Sequence, residues 1–330
     1  MFAAVIAIAT GCSSNPFDAP PPTIEPAAAA VSPPVTIAPA GKVMPLDRRA
    51  QAALFDARTA SLVVFAPGPD PQSAATLTVF GPSGPPRPVP LPGPATALAG
   101  DDEGTAYLST RGGYFTVDLA AGTARQVAVT DASGTDFTAI ARRADGRLVL
   151  GSADGAAYTL GSESTVAEKV EVFARVDAIV ADGDSAVVLD RGQTSVTALG
   201  SDGKKQQALR AGEGATTLAA DPLGRVLVAD TRGGQLLVFG VDPLIERQAY
   251  PVPQAPYGLA GSRNLAWVSQ TAANVVIGYD LATGIPVEKV RYPTVQQPNS
   301  LAFDEKSDTL YVVSGSGAGV QVIRNAAGAR

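Results

Sequence analysis

The sequence predicts an all-β protein: a seven-bladed β-propeller of four-stranded antiparallel blades, with its ring closed by an N-terminal strand. Three observations support this fold class. A short apolar strand, a turn and a second apolar strand recur seven times. The copies have the spacing of propeller blades and show strand-like alternation instead of helical periodicity. Finally, 34 glycines and 27 prolines in 330 residues suit many short strands and turns better than long helices.

A leading aliphatic residue marks each copy of the repeat. These residues lie 39 to 44 positions apart: Leu54, Leu98, Ile140, Ile179, Leu218, Leu259 and Leu301. A period of about 40 residues with strand character is typical of propeller blades, each of which is a four-stranded antiparallel sheet. We therefore assign residues 47–330 to the propeller.

The outer strands predict how the ring closes. A third strand follows the signature in every copy, and a more polar fourth strand follows in six, for example RQVAV (125–129). The seventh copy reaches Arg330 without an outer strand. Because a propeller must close its ring, we expect a strand from the N-terminal part of the chain to complete the last blade. The candidates are VTIAP (35–39) and KVMPL (42–46).

The only cysteine, Cys12, follows a short uncharged apolar run. Residues 1–11 are too short to span a bilayer and resemble the signal peptide of bacterial lipoproteins, which is removed before a cysteine that carries diacylglycerol. No Lys or Arg precedes the run, so we expect the signal to begin upstream of Met1. The alternatives for Cys12 are a buried thiol or a nucleophile. We favour a lipid-modified Cys12, carrying diacylglycerol and an acyl chain as the only bound groups.

Residues 12–46 contain many prolines and an alanine tract. Such a composition cannot form a core and favours an extended chain. We expect a tether between the lipid and the propeller, with its last residues forming the closing strand. The expected location is the cell envelope, on the outer face of the cytoplasmic membrane.

Composition excludes several function classes. A net charge of −6 and a pI near 4.8 provide no basic surface for nucleic acid. The sequence has no histidine, which removes histidine metal sites and hydrolases that need an imidazole base. With one cysteine, the chain forms no internal disulfide.

Several blade phrases carry a family resemblance, among them ADPLGRVLVAD (220–230) and LAFDEKSDTLYVV (301–313). They resemble the NHL and YVTN-type propeller repeats. Across nearly the whole chain, the sequence also resembles mycobacterial and actinobacterial envelope lipoproteins of the LppL type, for example in DRGQTSV (190–196) and YPTVQQPNSLAFD (292–304). The resemblance implies a lipid-anchored envelope propeller and brings no established activity.

Two sets of residues are candidates for binding. The first is the residue two positions before each leading aliphatic residue, which is predicted to form a ring at the channel mouth: Ala52, Thr96, Thr138, Asp177, Thr216, Tyr257 and Asn299. Within this ring we single out Asp177, Tyr257 and Asn299 as candidate binding residues. Asp177 and Asn299 are the positions to test as ligands of a channel cation. The simpler interpretation is that these polar groups satisfy strand ends and channel water.

The second set is the turn after the second strand, where TRGG occurs twice and DRGQ once. Arg111, Arg191 and Arg232 are predicted to project from equivalent corners of three blades, where arginines suit carboxylate or phosphate. The simpler interpretation is that each arginine is solvated or paired with an aspartate of a neighbouring blade.

Three functions are consistent with these features. The first is a non-catalytic protein-binding or scaffolding propeller. The second is a metal-dependent hydrolase such as a lactonase, and the third is a binder of envelope glycolipid or carbohydrate. The acidic turns DDE (101–103) and DGDS (182–185) lack the spacing of a metal loop and read as ordinary turn chemistry.

Overall fold

The computed structural model describes residues 22–328, and in this range it contains 28 strands and no helix. The strands form seven four-stranded antiparallel sheets, which are the blades of a propeller. The predicted fold class is thereby confirmed. Cys12 and the predicted signal peptide lie outside the described residues.

The strands follow the repeat blade by blade, from the channel outward. Blades 1 to 3 contain β2 (Ala52–Asp56), β3 (Ser61–Ala66), β4 (Thr76–Phe80), β5 (Arg87–Pro90); β6 (Leu98–Gly100), β7 (Thr105–Thr110), β8 (Gly113–Asp118), β9 (Thr123–Ala128); and β10 (Phe137–Arg142), β11 (Leu148–Ser152), β12 (Ala156–Leu160), β13 (Val166–Glu171). Blades 4 and 5 contain β14 (Ala178–Asp182), β15 (Ser185–Asp190), β16 (Ser195–Leu199), β17 (Lys205–Arg210); and β18 (Ala215–Asp221), β19 (Arg225–Asp230), β20 (Gln235–Gly240), β21 (Ile245–Pro251). Blade 6 contains β22 (Pro256–Gly261), β23 (Ala266–Gln270), β24 (Val275–Asp280) and β25 (Val287–Pro293).

Blade 7 closes the ring with both ends of the chain. Its inner strands are β26 (Pro298–Asp304), β27 (Thr309–Ser314) and β28 (Val320–Arg324), and its outer strand is β1 (Lys42–Met44). The register pairs Val43 with Gln321 in antiparallel orientation. The expected closing strand is therefore confirmed at the second candidate position, whereas residues 35–39 form no strand. Leu46 and Ala50, just after β1, are buried against blades 1 and 7. They stabilise the closure of the ring.

The hydrophobic core lies in layers between neighbouring blades. Seven clusters of buried residues occupy the seven junctions; the layer between blades 1 and 2, for example, contains Phe65, Leu77 and Phe115. Because the middle strands pack on both faces, β3 and β12 are buried along their whole length. The outer strand β17 has no blade beyond it and is mostly exposed. This burial explains why the middle strands read as apolar runs and the outer strands as polar ones.

The proline-rich first blade is complete. Its outer strand, β5, includes Pro88 and Pro90 and still pairs with β4. Proline lacks an N–H but is tolerated at a sheet edge, where one side of the strand needs no partner.

One side of the ring holds the turns between second and third strands together with the loops that connect consecutive blades. Antiparallel strands alternate in direction, so both kinds of connection lie at the same end of each blade. We call this side the loop face. It contains the channel mouth at the start of each first strand, and it is where the candidate binding residues lie.

Candidate functional site

The central channel encloses about 500 Å³ and begins at the loop face. All seven predicted ring positions line it, together with the residues that follow them in each blade. Six of the leading aliphatic residues line it too, from Leu98 in blade 2 to Leu301 in blade 7. The mostly polar positions at the mouth are thus followed, two residues further along the chain, by aliphatic residues that also line the channel; in blades 3, 5, 6 and 7 a β-bulge falls at the mouth position.

Most of the mouth polar groups join blades to one another. At six of the seven junctions, a side chain donates a hydrogen bond to a main-chain carbonyl of the next blade: Gln51 to Thr96, Thr96 to Phe137, Thr138 to Val176, Thr217 to Tyr257, Ser269 to Pro298, and Ser300 to Gln51. Thr96 and Thr138 therefore satisfy strand ends, as the simpler interpretation proposed. Their hydroxyls stabilise the ring, and we assign them no role in binding.

Blade 4 is different, because its ring position is Asp177, and a carboxylate donates no hydrogen bond. The carboxylate instead accepts from Nε of Arg175 at 2.6 Å and from the main-chain N–H of Arg191 at 2.8 Å. Its side chain is only 4% exposed. Burial raises the pKa of Asp177 above its ordinary value of 3.8, and the N–H and charges of the two arginines act in the opposite direction.

Arg191 links the channel to the loop face. Its side chain lines the channel, and one of its terminal nitrogens donates to the main-chain carbonyl of Ala27. Its Nε is buried and has no hydrogen-bond partner within residues 22–328. The guanidinium is therefore only partly satisfied by the folded chain.

The three predicted corner arginines do not form a common anion site. Arg111 pairs with Asp136 of the next blade at 3.1 Å, and both side chains are more than half exposed. Arg232 donates to the main-chain carbonyls of Glu25 and Glu213. The simpler interpretation, in which each arginine pairs with an aspartate of a neighbouring blade, therefore describes Arg111. Arg191 and Arg232 instead contact the N-terminal segment of the same chain.

That segment, residues 22–34, lies along the loop face from blade 4 to blade 7; we call it the strap. Its start is fixed at blade 4, where the N–H of Ile24 donates to the carbonyl of Gly192 at 2.7 Å. Its end is fixed at blades 6 and 7, where the hydroxyl of Ser32 donates to Thr271 and accepts from the N–H of Gln297. Ala27 and Ser32 are buried. The described part of the expected tether is therefore bound to the propeller instead of extending away from it.

The propeller binds the strap mainly through the main-chain carbonyls of the strap. Five strap carbonyls accept hydrogen bonds from five side chains of the loop face: Glu25 from Arg232, Ala27 from Arg191, Ala30 from Gln297, Ser32 from Gln296, and Pro33 from Asn274. The three amide contacts fall between 2.8 and 3.2 Å. Proline has no N–H, so a proline-rich segment presents mainly carbonyl oxygens, which accept hydrogen bonds. The side chains of the loop face supply the matching N–H donors.

Sequence reasoning missed several of these residues. Gln296, Gln297 and Asn274 lie in connecting loops, and Arg175 lies just before the first strand of blade 4. The QQ pair within YPTVQQPNSLAFD was visible as a polar insertion between two strands. Nothing local indicated that its partner is more than 260 positions away.

The aspartate before two of the arginine turns has a structural role. Asp230 is fully buried and accepts three main-chain N–H groups, from Glu213, Gly214 and Gly233. Asp190 does the same in blade 4 for Ala174, Arg175 and Gln193. These carboxylates hold the connecting loops in place, and so they position Arg191 and Arg232.

The two other candidate binding residues line the mouth on the side of blades 6 and 7. Asn299 accepts a hydrogen bond from the amide of Gln297 at 3.0 Å, and Tyr257 accepts at its main-chain carbonyl from Thr217. In the described chain, no group of three or more acidic or cysteine side chains lies close enough to hold a metal ion. The acidic turn at 101–103 shows ordinary turn chemistry, since Asp101 accepts the N–H groups of Glu103 and Thr105.

No family model matches the chain, and no curated protein matches it. Solved structures do match. The WD40 repeats of RRP9 align with a TM-score of 0.72 at 14% identity, over 87% of this chain and 99% of that one. A chain of the mitotic checkpoint complex aligns with a TM-score of 0.71 at 11% identity, over 90% and 98%.

Virginiamycin B lyase from Staphylococcus aureus is also similar, with a TM-score of 0.69 at 11% identity, over 86% of this chain and 98% of that one. A catalytically inactive variant of this lyase, with a histidine replaced by alanine, is known with quinupristin. At such identities the similarity shows the propeller fold alone. The resemblance to LppL-type lipoproteins is not supported by these comparisons and stays a prediction. Between residues 22 and 328, no helix is long and apolar enough to cross a membrane.

Proposed function

We propose that the protein is a non-catalytic binding propeller whose loop face takes an extended segment of a protein partner. The observation that carries this proposal is the strap, which shows that the loop face holds an extended proline- and alanine-rich segment through five of its carbonyls. The donors come from the turns and loops of blades 4 to 7. A partner segment of similar composition offers them the same acceptors.

Recognition of this kind depends on the backbone conformation of the ligand more than on the identity of its side chains. Extended proline-rich segments lose little conformational entropy on binding, and their carbonyls remain available. The strap itself contributes one buried polar side chain, the hydroxyl of Ser32. We therefore expect a partner segment rich in proline and small residues, with a hydroxyl at the position of Ser32 as its main sequence preference.

The enzyme alternative has less support. The chain has no histidine, whereas replacement of a histidine accompanies inactivity in the similar lyase. In the metal-dependent alternative, the two ligand candidates are already engaged, Asp177 by arginine groups and Asn299 by Gln297. A carboxylate held by two arginines is a poor cation ligand, because the cation must compete with fixed positive charge.

Lipid attachment at Cys12 is a further part of the proposal. The strap is held by the propeller from Ile24 onward, and the chain between Cys12 and Ile24 spans at most about 40 Å when fully extended. A lipid on Cys12 would therefore hold the loop face within that distance of the membrane. This arrangement suits capture of segments from proteins of the same membrane surface.

The direct test is binding of the strap as a separate peptide. A labelled synthetic peptide of residues 22–34 is titrated into a chain that begins at residue 35 and keeps the closing strand. We expect saturable binding with a dissociation constant of about 10 μM to 1 mM, since few side chains are buried. Arg191→Gln and Arg232→Gln should weaken it, whereas Arg111→Gln, in the same turn of blade 2, should not. No saturable binding, or equal loss in all three variants, would contradict the proposal.

A further inference from the structure

The junction between blades 4 and 5 departs from the rest of the ring. Elsewhere at the mouth, a side chain donates to the next blade, but here the ring position is the buried carboxylate of Asp177. Its partners, Arg175 and Arg191, belong to its own blade. The three charged groups therefore line the channel without joining the ring together.

The charged groups that line the channel at this junction do not cancel; the nearby carboxylate of Asp190 is buried behind the channel wall, where it accepts the main-chain N–H groups of Ala174, Arg175 and Gln193. Arg175 and Arg191 contribute two positive charges and Asp177 one negative charge, while the other ring positions are neutral. Arg175 satisfies Asp177 at 2.6 Å. Arg191 supplies only its main-chain N–H to Asp177, and its side chain contacts the uncharged carbonyl of Ala27. The excess positive charge is therefore located at the Arg191 guanidinium, whose Nε lacks an acceptor in the described range.

Directly below this charge the channel is apolar. Ile179 follows Asp177 on the same side of its strand, and Ile140 and Leu218 of the adjacent blades lie at the same level. The enclosed volume of about 500 Å³ falls within the range of small-molecule sites. A ligand that fits has an anionic head at the mouth and an apolar body in the channel.

We propose that the loop-face end of the channel binds a small carboxylate with an apolar body, with its carboxylate on Arg191 and its body against the aliphatic ring. A carboxylate carries the single charge that this site compensates, and guanidinium binds it through paired N–H donors. A phosphate dianion would bring a second charge beside Asp177 and is disfavoured. The site lies inside the channel and shares Arg191 with the strap, whose Ala27 carbonyl accepts from the same guanidinium.

The test uses the full chain with benzoate as the probe and benzamide as its uncharged counterpart, and binding is measured by calorimetry. Benzoate should bind saturably and more tightly than benzamide. Arg191→Gln should weaken benzoate binding by about 10- to 100-fold, because it removes a charge-assisted hydrogen bond. Asp177→Asn should strengthen it, because it removes the competing negative charge.

Three controls separate this site from the strap and from damage to the fold. Arg111→Gln changes an equivalent turn outside the channel and should leave benzoate binding unchanged. Arg232→Gln loosens the strap at Glu25 and keeps the contact of Arg191 with Ala27, so it should also leave benzoate binding unchanged. General damage would weaken binding in Arg191→Gln and Asp177→Asn alike, so opposite directions support the site. Equal binding of benzoate and benzamide, no saturable benzoate binding, or weaker binding in Asp177→Asn would overturn the proposal.

Discussion

Ser32 provides a sharp test of whether the strap is held by specific contacts. It is 4% exposed, and its hydroxyl donates to the carbonyl of Thr271 at 2.5 Å and accepts from the N–H of Gln297 at 3.1 Å. Ser32→Ala removes both bonds; the carbonyl of Thr271 loses its partner, whereas the N–H of Gln297 keeps a longer contact with Oδ1 of Asn274 at 3.3 Å. The loss of one buried partner costs about 1–3 kcal/mol.

A cost of about 1–3 kcal/mol raises the population of the detached strap end by about 5- to 150-fold. Hydrogen exchange measured residue by residue should show this acceleration at the amides of residues 32 and 297, with the global stability nearly unchanged. Thr36→Ala is the matched control, because Thr36 is exposed and lies in the same extended segment. Unchanged exchange at both amides in Ser32→Ala would refute the account of the strap.

Three more predictions concern the carboxylates and the ring closure. Asp230→Ala should lower the free energy of unfolding by about 3 kcal/mol, measured with urea, because three main-chain N–H groups lose a fully buried acceptor. Asp202→Ala, in an exposed turn, should cost less than about 1 kcal/mol, and equal costs would contradict the role of Asp230. Burial raises the pKa of Asp177 above 3.8 against the opposing charges of Arg175 and Arg191, so the carboxyl becomes neutral at a higher pH than usual. Binding of benzenesulfonate, which stays ionised, should therefore tighten as pH falls toward and through that raised pKa, and Asp177→Asn should abolish this trend. Leu46→Ala should cost about 2–4 kcal/mol because it opens a cavity behind the closing strand, whereas Val43→Ala, at an exposed site of that strand, should cost far less.

The fold was predictable because each blade repeats the same local pattern. Two apolar strands around a short turn mark the inner half of a blade, and seven copies at a spacing of about 40 residues indicate a ring of seven. The closing strand was predictable by elimination, since blade 7 lacked an outer strand and the segment KVM of β1 was a suitable candidate. The register of the mouth was also predictable, because alternation places Asp177 and Ile179 on the same side of one strand.

The strap was not predictable, because its contacts join distant positions through main-chain carbonyls. Hydrogen bonds from Gln297 to Ala30 and from Asn274 to Pro33 connect residues more than 240 positions apart. Carbonyls are present at every residue, so no pattern of side chains marks the ones that are bound. The same reason explains why Arg111 and Arg232, which share the motif TRGG, have different partners: the strap passes over blade 5, whereas Asp136 lies beside Arg111.

The central claim, that the loop face binds extended segments, is tested most directly by locking the strap in place. A Cβ on Gly192 would lie 3.4 Å from Cγ2 of Thr23, which is close enough for a disulfide in Thr23→Cys/Gly192→Cys with Cys12 replaced by serine. Binding of the labelled peptide of residues 22–34 is then measured for the oxidised and the reduced protein. The account predicts saturable binding to the reduced protein at peptide concentrations high enough to displace the strap, and loss of this binding on oxidation, since the tethered strap then occupies the face permanently. Equal binding in both states would place the peptide elsewhere and contradict the claim.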